Sequence, residues 1–140
     1  MFLYLDTSSL VKLYVEETET NQIVELVRSS EIISTSLIAY AEARAAFARR
    51  FRENAFAPEE YTRLKSVFDK DWSNYFILSI TGDLIKMAGD LSEKHALRGF
   101  DSIHLASAVT LRNELDENII FSCFDNNLNK AAQHEGLGQG

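Results

Sequence analysis

The stretch FLYLDTSSLVKLY, Phe2–Tyr14, decides the fold class. Phe2–Leu5 is an apolar run of strand length that stops at Asp6-Thr7-Ser8-Ser9, a polar turn whose side chains also suit helix caps. Leu10, Leu13 and Tyr14 then recur at helical spacing. Strand, tight turn and helix in immediate succession are the opening of an α/β chain.

The same alternation continues outward. A helix is expected from about Thr20, with Ile23, Leu26 and Val27 inward, and then a brief buried strand at Ile32–Ile33. Ser34-Thr35-Ser36 reads as the cap of a long helix running to about Arg52. Pro58, Glu59 and Glu60 open the next helix, since proline fits the first helical position and acids fit the positive end. Tyr75–Ile80 is a third strand, followed through Thr81-Gly82-Asp83 by a helix carrying Leu84, Met87, Ala88 and Leu91. Gly99 breaks the chain before another apolar helix, LRGFDSIHLASA at Leu97–Ala108. Asn118–Phe124 is a fourth strand, Asn127–Gln133 a final helix, and residues 136–140 a frayed tail. The expectation is one domain over 1–140, with a parallel sheet of about four strands and helices on both faces.

Composition narrows the class. The single cysteine, Cys123, excludes an internal disulfide and fits a reducing, cytoplasmic setting. No apolar run approaches the ~20 residues that cross a membrane, and the N-terminus has no basic leader. Net charge is −7, which argues against broad electrostatic binding of nucleic acid. A nuclease stays open, because clustered acids that hold divalent cations reverse the local sign.

Three acids stand at the edges of elements, and a fourth lies within a helix. Asp6 ends the first strand, Asp125 ends the last, and Asp101 starts a helix. In open α/β sheets, sites lie beyond the carboxyl ends of the strands. Taken singly, Asp6 and Asp125 suit helix caps, and Asp101 suits a first turn. Glu42 resists such an account: it lies mid-helix among Ile38, Ala39, Ala45 and Ala46. His104, one turn beyond Asp101, reads as a packed, hydrogen-bonded side chain rather than a metal ligand. Gathered together, carboxylates 4 Å apart would repel by about 4 kcal/mol per pair at an effective dielectric near 20, so a cation or protonation must compensate. Mg²⁺ and Mn²⁺ prefer such oxygen ligands. The chain has no glycine-rich phosphate loop, HExxH, zinc spacing or GxSxG elbow to compete.

Four blocks of the chain resemble PIN-domain ribonucleases, specifically VapC-type toxins of toxin–antitoxin pairs. They are YLDTSSLVKLYVEE (Tyr4–Glu17), SLIAYAEARAAFARR (Ser36–Arg50), LRGFDSIHLASA and FSCFDNNLNKAAQHEGL (Phe121–Leu137), in family order. The resemblance implies a PIN-like α/β/α sandwich. It makes Asp6, Glu42 and Asp101 metal ligands, Asp125 the fourth acid, and Ser8 a hydrogen-bonding partner within the site. Cys123 departs from the threonine or serine usual two residues before the fourth acid. The implied activity is endoribonucleolytic, dependent on Mg²⁺ or Mn²⁺, with a metal-activated water attacking the phosphodiester. Implied partners are RNA, a small VapB-like antitoxin and a second copy of the chain.

Among Arg44, Arg49, Arg50 and Arg52, Arg49 is the candidate for substrate phosphate, being i+7 from Glu42. Aromatics around Tyr61, Leu64, Phe68 and Trp72 exceed what a four-stranded core obviously needs, and suit a dimer face or an antitoxin groove. Two other readings compete. A Mg²⁺-dependent phosphoacceptor receiver domain would need an acid beside Asp6 and a lysine after the late strand, and has neither. A catalytically silent PIN-like binding module would be expected to lack one of the four acids.

Overall fold

The computed structural model describes all 140 residues. Five strands, β1 (Phe2–Leu5), β2 (Ile32–Ser36), β3 (Phe76–Leu78), β4 (Ile119–Ser122) and β5 (Gly138–Gln139), form one sheet in the order β3-β2-β1-β4-β5. Every pairing is parallel. Seven helices connect them: α1 (Thr7–Lys12), α2 (Thr20–Arg28), α3 (Ile38–Arg52), α4 (Pro58–Trp72), α5 (Gly82–His95), α6 (Gly99–Leu115) and α7 (Asn126–His134).

Alternation along the central strand divides the core. Leu3 and Leu5 face one side, where they meet Leu10 and Val11 of α1, Ala39, Ala43 and Phe47 of α3, and Phe68 of α4. Tyr4 faces the other side and stacks on Phe121 of β4 at 5.4 Å between centroids. Leu84, Ala88, Leu91, Leu105, Leu111 and Leu128 from α5, α6 and α7 complete that layer. With helices on both faces, the interior strands are buried on both, so β1 and β4 read as nearly continuous apolar runs rather than alternating ones.

Three expectations are corrected. The 136–140 tail is not frayed: Gly136 (φ +86°) turns the chain out of α7, and β5 pairs with Ile120 and Phe121, making a fifth strand. Of Ser34-Thr35-Ser36 only Ser36 serves α3, its hydroxyl accepting from the Ile38 amide at 3.3 Å; Ser34 and Thr35 belong to the interior of β2. Its Ser34 and Thr35 hydroxyls donate to the Leu3 and Leu5 carbonyls, each at 2.7 Å, and that satisfies polar side chains in a strand interior. The aromatic excess is largely absorbed within the chain, where Tyr14, Tyr40, Phe47, Phe68 and Trp72 pack ring against ring.

Candidate active site

The carboxyl ends of the strands gather the polar side chains. Asp6 follows β1 and caps α1. Its backbone N–H donates to the Ser122 carbonyl of β4 at 3.1 Å, which fixes the residue between two strand ends. Ser8 Oγ and the Ser9 amide both donate to Asp6 Oδ1, at 2.7 and 2.9 Å, and leave Oδ2 open.

Asp6 is buried, and burial is the main cause that raises its pKa above the ordinary carboxylate range. The His104 ring and the Ser8 and Ser9 hydrogen bonds pull it down, while the Asp101 charge adds to the rise. The clustered acids were expected to raise one another by repulsion. Desolvation dominates at Asp6 instead, and Glu42 is shifted the other way.

Asp125 caps α7, its Oδ1 accepting from the Leu128 amide at 2.8 Å. Asp101 lies in the first turn of α6, 3.5 Å from the Arg98 Nε. Cys123 shows that these acids share a neighbourhood. Burial pushes its thiol up to about 12, and the charges of Asp6, Asp125 and Asp101 all push the same way.

Glu42 stands at the rim of this group. It opens onto one cleft with Asp101, Arg98 and Phe100, and onto a second with Arg49 and Arg52. Thr7 Oγ1 donates to its Oε1 at 2.5 Å, and His104 Nε2 lies 3.1 Å from the same oxygen. Burial alone would raise the Glu42 pKa, but the His104 and Thr7 hydrogen bonds outweigh it and hold the carboxyl below its usual value. Glu42 therefore stays ionised where Asp6 resists ionisation.

The sequence reading missed what holds Glu42. His104, 2% exposed, also meets the Tyr4 hydroxyl through Nδ1 at 2.8 Å and Thr7 Oγ1 through Nε2 at 3.0 Å. With Nε2–H donating toward Glu42 and Thr7, Nδ1 accepts from Tyr4. The line Tyr4–His104–Glu42 joins the central strand to α6 and α3. The spacing Asp101-x-x-His104 was the visible signal, since both residues share one face of α6.

The donors suit a hard cation, although no three His, Cys, Asp or Glu side chains are set closely enough to grip one together. Mg²⁺ commonly keeps several waters and takes only one or two carboxylates directly, so spaced carboxylates are compatible with it. A buried Asp6 with an open oxygen and a neighbouring Asp101 is a place where positive charge is short. The arginines divide: Arg50 pairs with Glu17 at 2.6 Å and Arg44 donates to Tyr40 Oη at 2.9 Å, whereas Arg49 and Arg52 line the cleft.

The chain is similar to known proteins along most of its length. Two ribonucleases of Mycobacterium tuberculosis strains, VapC45 and VapC49, are each 30% identical over 134 residues, covering 96% of this chain and 91% of theirs. The crystal structure of Mycobacterium tuberculosis VapC20, described as a sarcin-ricin loop cleaving toxin, superposes with a TM-score of 0.65 at 15% identity. It covers 92% of this chain and 94% of its own. VapBC2 from Rickettsia felis, solved bound to a DNA fragment from its promoter, gives 0.58 at 16%, covering 89% and 100%. The family model described as PIN domain matches residues 3–133, and the chain belongs to that family.

Proposed function

We propose that this protein is a divalent-metal-dependent endoribonuclease and the toxin of a type II toxin–antitoxin pair. The observation that carries the reading is Asp6, a buried carboxylate at the end of the central strand with one oxygen fixed and the other open. The ribonuclease names of the relatives support RNA as substrate.

Asp6, Glu42 and Asp101 would hold Mg²⁺ or Mn²⁺, with Asp125 completing the set directly or through water. The ion would supply charge neutralisation at the scissile phosphate and a more acidic water. The protein's own work is positioning. Ser8 and Ser9 lock Asp6, and the Leu128 amide of α7 locks Asp125. Thr7 and His104 keep Glu42 ionised and aimed at the cleft. A rigid shell of this kind is what precise catalysis requires.

Cleavage of single-stranded RNA in Mg²⁺ or Mn²⁺ should stop in excess chelator and return on adding the metal back. Cleavage that persists in chelator overturns the metal-dependent reading. Absence of cleavage with either metal favours a silent binding module.

Arg49 is proposed to reach substrate phosphate, because it shares a cleft with Glu42. Arg49→Gln should weaken RNA binding and reduce the slope of log affinity against log salt by about 1. An unchanged slope places Arg49 outside the RNA path.

The protein is further proposed to act as a homodimer sequestered by a small antitoxin; its likeness to a toxin–antitoxin complex from Klebsiella pneumoniae supports the antitoxin. That complex superposes with a TM-score of 0.54 at 20% identity, covering 86% of this chain and 84% of its own. Light scattering should return twice the chain mass; the single-chain mass overturns the dimer.

A further inference from the structure

Phe100 is the most exposed large apolar side chain in the molecule, 61% exposed. It stands in the first turn of α6, next to Asp101, and lines the cleft shared by Asp101, Glu42 and Arg98. The rest of α6 buries its apolar side chains, Leu105, Ala106, Ala108, Val109 and Leu111 among them, so this outward phenyl stands apart from the helix's own packing. Burying a phenyl stabilises a fold, a gain that Phe100 forgoes in the free chain.

Its surroundings select the kind of ligand. Only Phe100 and Ile103 are apolar among the cleft residues; Arg98, Glu42 and Asp101 are charged. An amphipathic protein helix needs a longer apolar strip than one ring and one isoleucine. A ligand that alternates flat aromatic faces with anionic linkers fits better. The Arg98 side chain is 85% exposed beside Phe100, and Glu42 is also the corner at which the cleft of Arg49 and Arg52 begins. Basic groups therefore lie on both sides of the acids, with one aromatic face on the α6 side.

We propose that Phe100 is the stacking platform for one unpaired nucleobase of the RNA substrate, with Arg98 against a phosphate flanking that base. The inference rests on the nuclease reading and adds a subsite to it. Stacking on an aromatic face tolerates any base but requires that the base be free of a helix. The subsite thus selects for an unpaired nucleotide beside the scissile bond rather than for a particular letter.

The test measures binding of short single-stranded RNA in chelator, where cleavage is stopped, using wild type, Phe100→Ala and Phe100→Trp. A series of RNAs, each with an abasic site at one position, completes the experiment. Phe100→Ala should weaken binding of intact RNA about tenfold, and Phe100→Trp should restore it. One abasic position should weaken wild type about as much, yet leave Phe100→Ala unaffected. That coincidence is something a general loss of folding does not produce. The salt slope should stay unchanged in Phe100→Ala and fall by about 1 in Arg98→Gln.

Equal binding by Phe100→Ala and wild type overturns the proposal, as does equal weakening of Phe100→Ala on intact and all abasic RNAs. A Phe100→Ala variant that keeps RNA affinity but changes its mass by light scattering assigns the ring to a protein interface instead. Wild type that neither binds nor cleaves any RNA removes the nuclease reading and the subsite together. Wild type that cleaves normally while Phe100→Ala matches it removes the subsite alone.

Discussion

Asp6→Asn will abolish nuclease activity and, in the same molecule, raise the melting temperature of the metal-free protein. The loss of activity follows from removing a ligand charge: several kcal/mol of transition-state stabilisation corresponds to a rate drop on the order of a thousandfold. The gain in stability follows from burial. Asp6 has a raised folded-state pKa, so its ionised form costs the folded protein stability. That cost is absent below the unfolded-state pKa and grows as pH rises through the folded value. Asparagine keeps the cap, because its side-chain oxygen still accepts from Ser9, and carries no charge to desolvate.

The variant should therefore melt roughly 2–6 °C above wild type at neutral pH, and the gap should close in mildly acid buffer. Adding Mg²⁺ or Mn²⁺ should stabilise wild type and leave Asp6→Asn nearly unmoved, since a ligand stabilises only the state that binds it. Thermal melts across pH, with and without metal, check each part. A variant less stable than wild type at neutral pH, or equally responsive to metal, would show that Asp6 is a structural cap.

His104→Ala should be the most destabilising single change near the site, by about 3 kcal/mol. It removes the partner of Glu42, strands the buried Tyr4 hydroxyl and opens a gap between α6 and β1. Its pH signature runs opposite to that of Asp6. Glu42 has a lowered pKa, so the pair contributes stability above the unfolded carboxylate range and loses it as pH falls through the folded value. The deficit of His104→Ala relative to wild type should thus shrink at low pH. Urea unfolding at neutral and acid pH reads the difference directly, and a deficit that does not narrow would place the lost energy in packing alone.

The parallel sheet was legible from Phe2–Tyr14 and its later echoes, because strand runs and capped helices are local signals. What escaped was set by distant partners. Ser34 and Thr35 look like cap residues until the Leu3 and Leu5 carbonyls are brought alongside to accept from them. Gly138 and Gln139 look like a loose tail because two residues carry no periodicity, and only the adjacent β4 edge makes them a strand. In the site, Asp6, Asp101 and Asp125 announced themselves by their places at element ends. Glu42 announced itself by its apolar helical neighbours. The hold of Tyr4 and His104 on Glu42 spans a hundred residues from Tyr4 to His104, beyond any reading of local spacing.

The placing of β1 between β2 and β4 bears on when the protein becomes dangerous to the cell that makes it. The first strand of this fold to be synthesised is the middle of the finished sheet, and one of its two neighbours, Ile119–Ser122, is made only after α6. Until that neighbour arrives, the Asp6 amide lacks its Ser122 acceptor, Tyr4 lacks Phe121, and Asp125 has not been synthesised. Pairing across such a sequence separation is slow to form and cannot begin on an incomplete chain. A chain whose β4 is not yet made therefore carries no assembled site, and the topology leaves an interval during synthesis in which an inhibitor can reach it first.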